Sequence, residues 1–242
     1  MKNVKLFCIP YAGGSALSYK VWKKHLNSNI ELFPMELAGR GNRLNEPYYA
    51  SMEEAVDDLY GTISNDIKCC SDYILFGHSM GSVIAYELYY KLIGNGLQKP
   101  LHIFFSGHEA PTRDIKVDDT YNLPADEFKQ KLLTIGSSLA EIIDNEEYMG
   151  FFLPIIRADY RILGQHAYQL KDIPMDCDIT ILNGRDDIKA SQHDLEGWTE
   201  TTKGKCNFLF FDGGHFYINQ YMREVVNIIN STVTGSSEIY SK

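Results

Sequence analysis

An α/β architecture, a mostly parallel central sheet with helices on both faces, follows from two features of the sequence. Short apolar runs suited to buried strands recur at residues 4–9, 31–35, 73–76, 102–106, 179–183 and 207–211. Helical stretches at about residues 17–26, 51–67, 79–93 and 216–230 separate most of them. Parallel strands need crossover connections, usually a helix, so this alternation implies parallel pairing. In such sheets ligands bind beyond the carboxyl ends of the strands.

Taken in order, the first strand, Val4-Lys-Leu-Phe-Cys-Ile9, runs into a loop with little side-chain bulk, Pro10-Tyr11-Ala12-Gly13-Gly14-Ser15. The 17–26 stretch is amphipathic and places His25 at the surface. The third strand, Tyr73-Ile-Leu-Phe76, is apolar throughout, as a strand buried on both faces must be. It enters a tight glycine-flanked turn and then the 79–93 helix. The segment from about 120 to 170 breaks the alternation and is too long for a plain connection. It reads as short helices over 124–135, 138–143 and 146–165, a helical lid over the carboxyl end of the sheet. Its apolar residues Leu139, Ile142, Ile143, Phe151, Phe152, Ile155 and Ile156 either line a channel or pack the lid onto the core. The whole chain, 1–242, reads as one domain, with a loose polar tail from about 231 to 242.

Composition narrows the function classes. The net charge of −9 argues against nucleic acid and anionic membrane surfaces. No apolar run approaches the length of a membrane span. The start of the sequence enters the first strand at once, with no signal peptide. Five cysteines without metal-site spacing predict reduced thiols and a cytoplasmic location. Neither a metal nor an organic cofactor is expected, and a monomer is the expected state.

Gly77-His78-Ser79-Met80-Gly81 lies between a strand and a helix, the context of a nucleophile elbow. The turn forces its central residue into strained backbone angles, with flanking glycines leaving room. Ser79 then stands at a helix N-terminus, where peptide dipoles favour negative charge on its oxygen.

A serine needs a base and an orienting acid. His215, in Phe211-Asp-Gly-Gly-His215, follows a short strand and a glycine pair and is the best candidate base among the 7 histidines. His78 is expected to point away from the site if Ser79 points into it. His102, His108, His166 and His193 have no glycine-rich strand exit to place them. The acid is expected in Asn183-Gly-Arg-Asp186-Asp187, after the fifth strand, and the residues themselves leave Asp186 and Asp187 open. The order serine, acid, histidine is that of the α/β-hydrolases. An oxyanion hole would combine the Met80 N–H with one from the loop after the first strand, here Tyr11. That loop lacks Gly-x-Gly-x-x-Gly and Gly-Lys-Ser/Thr spacings, which weakens a phosphate-binding reading.

These motifs together resemble the stand-alone type II thioesterases that accompany nonribosomal peptide and polyketide synthetases. The resemblance covers nearly the whole chain. It rests on Phe7-Cys-Ile-Pro-Tyr-Ala-Gly-Gly14, Pro34-Met-Glu-Leu-Ala-Gly-Arg-Gly41, the serine motif, Phe151-Phe-Leu-Pro-Ile-Ile-Arg-Ala-Asp-Tyr-Arg161, and the Asn183 and Phe211 strings. It implies that the acid lies three residues after the glycine, at Asp187. No aspartate stands at Ser106-Gly107, where thioesterase domains fused to synthetases often carry their acid, so the stand-alone form is favoured. Ser82 stands where many relatives have glycine, a difference expected to matter little. The implied activity is removal of wrong or stalled acyl groups from the phosphopantetheine arm of acyl or peptidyl carrier domains. A mobile lid with a shallow acyl pocket is implied with it, and Lys20, Lys23, Lys24 and the Arg113/Lys116 region are candidate docking cations. A carboxylesterase acting on free esters is the alternative.

Overall fold

A computed structural model describes residues 3–69, 72–112, 118–136, 145–190 and 192–235. Its strands are β1 (Val4–Ile9), β2 (Ile30–Pro34), β3 (Asp72–His78), β4 (His102–Ser106), β5 (Asp178–Gly184) and β6 (Cys206–Phe211). The helices are α1 (Leu17–Lys20), α2 (Met52–Cys69), α3 (Met80–Gly94), α4 (Ala125–Ile135), α5 (Glu146–Gln165), α6 (Gln192–Glu196), α7 (Tyr217–Gln220) and α8 (Met222–Thr234). The strands form one sheet in the order β2-β1-β3-β4-β5-β6, and every pair is parallel. The order reverses at β1, whose neighbours are β2 and β3. A crevice therefore opens between the carboxyl ends of β1 and β3, where the two connections leave on opposite sides.

Alternation along the strands divides the core in two. Tyr73 and Leu75 of β3, with Phe7 and Ile9 of β1, pack into a layer beneath α2 and α3. Ile74 and Phe76, with Leu6 and Cys8, pack into the opposite layer with Trp22, Tyr217 and Val225. Successive side chains of a strand face opposite ways, so a sheet covered on both faces needs apolar residues at every position. Helix α3 is buried on most of its surface, from Met80 through Leu92.

The 17–26 helix is shorter than its periodicity suggests, since α1 passes into a 3₁₀ turn at Val21–Lys24. The final helix is broken at Tyr221 into α7 and α8, and α8 continues to Thr234, beyond the expected start of the tail. Residues 236–242 lie outside the described residues, as do 138–143 and both Arg113 and Lys116. Helix α6 and the 3₁₀ turn Gly197–Thr201 were not foreseen. Their anchor is Trp198, fully buried and stacked on Phe105 with centroids 4.1 Å apart. A lone tryptophan in a polar stretch was the signal available.

Helices α4 and α5 stand between β4 and β5 and share a small core of Phe128, Leu132, Ile135 and Ile156, with Phe216 against it. One buried ion pair fastens α5 to the loops that follow β1 and β2. Arg40 reaches Asp159 through two hydrogen bonds of 2.6 Å, and both side chains are 3% exposed. Asp159 Oδ2 also accepts from the Gly13 N–H at 2.7 Å, and Arg40 donates to the Gly14 carbonyl. Helix α5 and the loop after β1 are thus held as one unit. Asp159→Ala would leave a guanidinium buried without its counter-charge. We expect it to cost about 3–5 kcal/mol of stability, read as a lower denaturation midpoint at unchanged m. A loss under about 1 kcal/mol would show that the pair is no better than a surface one.

Candidate active site

The site is assembled at the crevice between β1 and β3. Ser79 has φ 54° and ψ −119°, and among the described residues it is the only non-glycine residue at positive φ. The two glycines around it are required by close approach. A Cβ on Gly77 would lie 2.1 Å from the Gly81 carbonyl oxygen, and one on Gly81 would lie 2.2 Å from that of Ile9. Their absence lets α3 start directly against β1 and β3, which is what turns the chain so sharply at Ser79.

The unexpected brace is Ser82. Its hydroxyl lies 2.9 Å from the Gly77 carbonyl and 3.0 Å from the Ser106 carbonyl, and it accepts the Ser106 N–H at 3.0 Å. With the Ser79 N–H donating to the Ser106 carbonyl at 2.7 Å, the elbow is tied to the end of β4. A glycine there could make none of the side-chain bonds.

Asp187 and His215 are brought together. His215 Nδ1 lies 2.8 Å from Asp187 Oδ2, and the two side chains are 4% and 0% exposed. The other oxygen, Oδ1, accepts the Lys189 N–H at 2.9 Å. Asp186 is exposed, and it is its backbone N–H that binds, to the Gly213 carbonyl at 3.0 Å. Buried on one side of a tight turn and solvated on the other, the adjacent aspartates have separate environments.

Ser79 and His215 line the same two cavities. The larger, about 870 Å³ with its open mouth, has polar walls that include His108, Glu109, Asp118 and Lys189. Burial pushes the Lys189 ammonium below its usual range, and Asp118 opposes that shift. The smaller cavity is apolar, bordered by Leu132, Ile135, Ile156 and Phe216. A neighbouring cleft under the lid joins Tyr11–Ser15 to Met149, Phe152 and Ile156. Of the apolar residues expected either to line a channel or to pack the lid, Phe152 and Ile156 border this cleft and also pack in the small core of α4 and α5, Ile155 is buried, and Phe151 is 46% exposed. Leu139, Ile142 and Ile143 lie outside the described residues.

Tyr11 and Met80 stand on the two sides of the crevice. The Met80 N–H is the first of α3, a position without an intrahelical acceptor. The Tyr11 carbonyl closes its own turn by accepting the Gly14 N–H at 2.8 Å.

His78 does not point away. Its ring centroid is 5.1 Å from that of His215, and the side chain is fully buried. The reason is strand alternation. His78 shares a face with Ile74 and Phe76, and that face is covered by α7 and α8, whose leading loop carries His215. Sequence reasoning also missed the Arg40–Asp159 pair, although both residues lie in strings quoted for the resemblance. Among the described residues no group of three or more His, Cys, Asp or Glu converges as a metal site requires, and no helix is long and apolar enough to cross a membrane.

An open parallel sheet with a strained serine turn after β3, and an acid–histidine pair after β5 and β6, defines the α/β-hydrolase class. This chain belongs to the Thioesterase domain family, whose profile matches residues 4–233. It is 32% identical over 234 residues to a Brevibacillus parabrevis protein named linear gramicidin dehydrogenase LgrE, covering 96% of this chain and 88% of that one. Among solved structures, ClbQ from the colibactin NRPS/PKS pathway superposes with a TM-score of 0.90 at 34% identity, covering 98% of this chain and 99% of ClbQ. The type II thioesterase BorB from the borrelidin biosynthetic cluster gives 0.86 at 27% identity, covering 95% and 92%.

Proposed function

We propose that this protein hydrolyses acyl thioesters held on the phosphopantetheine arm of carrier domains, clearing misprimed or stalled groups from a peptide or polyketide assembly line. The observation that carries the reading is the buried hydrogen bond between Asp187 and His215 in a cavity shared with Ser79. Relatives from biosynthetic clusters supply the carrier-bound substrate class. The dehydrogenase name of one relative finds no counterpart here, because the loop after β1 lacks the glycine spacing of a dinucleotide site.

In this reading His215 takes the Ser79 proton as the serine oxygen adds to the thioester carbonyl, and the Met80 and Tyr11 amides hold the oxyanion. The carbon–sulfur bond breaks and the thiol leaves with the proton from His215. Water then adds to the acyl-enzyme, with His215 again as base, and the free acid departs. Asp187 keeps the imidazole in the required tautomer and supports the imidazolium. The apolar cavity by Leu132 and Ile156 receives the acyl group. No metal or organic cofactor is required by this sequence of steps. Four free cysteines among the described residues are consistent with a cytoplasmic protein, which we take to act as a monomer.

The test is a series of acyl groups on a carrier protein and on coenzyme A, followed by mass spectrometry of the carrier and by kcat/KM. Acetyl and propionyl groups should be released readily, and faster from the carrier than from coenzyme A, since only the carrier offers a docking surface. Equal values for both forms would remove the docking argument. Preference for a free oxygen ester would favour a carboxylesterase.

A further inference from the structure

Directly behind His215 lies a second imidazole that the reaction does not consume. His78 Nδ1 is 2.7 Å from Ser106 Oγ, and Ser106 Oγ is 2.6 Å from the Tyr217 hydroxyl. All three side chains are buried. His78 Nε2, also buried, has no partner at hydrogen-bonding geometry. The ring is enclosed by Tyr11 from the loop after β1 and by Phe216 and Tyr217 from the loop after β6, while His215 tilts against it at 35°. A Cβ on Gly107 would lie 2.8 Å from His78 Cε1 and 3.3 Å from His215 Cε1, so the two imidazoles converge on one spot at the end of β4.

Proton counting fixes the tautomer. If Tyr217 donates to Ser106 and Ser106 donates to His78 Nδ1, the network leaves one group unpaired, the Nε2–H. The reverse direction would leave both the Tyr217 proton and the Nε2 lone pair without partners. Burial, and then the neighbouring His215, hold the His78 imidazole well below the usual histidine range, while the backbone of His215 acts in the opposite sense. Other titratable groups facing it are His108 from the end of β4, Tyr11 and Tyr217. His78 therefore stays neutral while His215 gains and loses its proton.

We propose that His78 is a positioning residue for His215: a neutral ring, oriented from behind by Ser106 and Tyr217, that sets the height and tilt of the base above Ser79. The proposal rests on the Ser79–His215–Asp187 reading. A misplacement of about 1 Å in such a site costs about 10²-fold. His78→Phe keeps the ring but discards both nitrogens. It should lower kcat about 10- to 100-fold with KM little changed. The acid limb of its pH–rate profile, which reports protonation of the free enzyme's base, should move to higher pH, because an aromatic face favours a neighbouring cation. His78→Asn places an amide oxygen near the position of Nδ1, where it can accept from the Ser106 hydroxyl, and should recover part of kcat. Tyr217→Phe keeps the His78 ring but removes a hydrogen-bond partner of Ser106, and should lower kcat by a smaller factor with KM unchanged.

The measurements are kcat, KM, the pH profile and the melting temperature of each variant on a propionyl-loaded carrier, with Ser79→Ala as the reference. An unmoved acid limb in His78→Phe, with activity falling only as the melting temperature falls, would overturn the proposal. Should that variant not fold, wild-type kcat in both Tyr217→Phe and Ser106→Ala at unchanged melting temperature overturns it. If Ser79→Ala itself remains active, the underlying triad reading fails instead.

Discussion

Ser79→Ala is expected to yield a folded protein that no longer releases acyl groups from a carrier. Alanine is as strained at φ 54° as serine, so the substitution neither relieves nor adds backbone strain. Stability should therefore stay within about 0.5 kcal/mol. Activity should not. In the proposed mechanism the hydroxyl supplies the oxygen that forms the covalent bond, and removing a triad nucleophile costs about 10⁶ in kcat. What survives would come from the proposed oxyanion donors and from binding alone. Incubating the variant with a propionyl-loaded carrier and following the intact carrier mass gives the answer. Release at the wild-type rate would end the serine mechanism.

The second large effect separates two adjacent acids. Asp187→Asn keeps an oxygen able to accept the Lys189 N–H, so the turn should survive. Opposite His215 Nδ1, however, the amide can present N–H in place of a carboxylate oxygen. That selects the tautomer with its proton on Nε2, where a lone pair is needed to take the Ser79 proton. Loss of about 10⁴ in kcat follows. Asp186→Asn changes an exposed side chain and leaves its backbone bond to Gly213 in place, so its activity should remain within about twofold of wild type. Comparable losses in the two variants would mean that the hydrogen bond to His215 does not do what its geometry offers.

The contrast between these aspartates shows how much of the site could be read from sequence. Local signals were sufficient where the chemistry is written in a short string. The apolar run 73–76, two glycines and a helix placed Ser79, and a strand exit with Gly213-Gly214 placed His215. Which aspartate turns inward depends on how β5 ends, and only the resemblance suggested Asp187. Contacts between distant strings left still less trace. Arg40 and Asp159 are 119 residues apart, and nothing in either neighbourhood announces the other. His78 was misjudged because the turn was treated as a two-sided strand, whereas the site is closed from the side on which His78 already lay. Strand positions were legible to within a residue or two because the four inner strands are buried almost throughout and the two edge strands, though only half-buried, keep apolar runs.

The Arg40–Asp159 pair bears on how a substrate gets in. Swinging α5 upward as a rigid flap would strip both ions from each other and the Gly13 N–H from its acceptor at once. At about 3–5 kcal/mol, such a state would hold only about 10⁻² to 10⁻⁴ of the molecules. The far end of the helix carries no such lock: Phe151 and Tyr148 there are already exposed to solvent. We infer that a substrate enters beside the amino-terminal half of the helix, past a threshold that the ion pair holds fixed. A passage of fixed threshold sorts its traffic by girth before any pocket reads it. On this reading short acyl groups on a slender arm are expected to pass and long or branched intermediates to be turned away, an order that kcat/KM across a chain-length series would read.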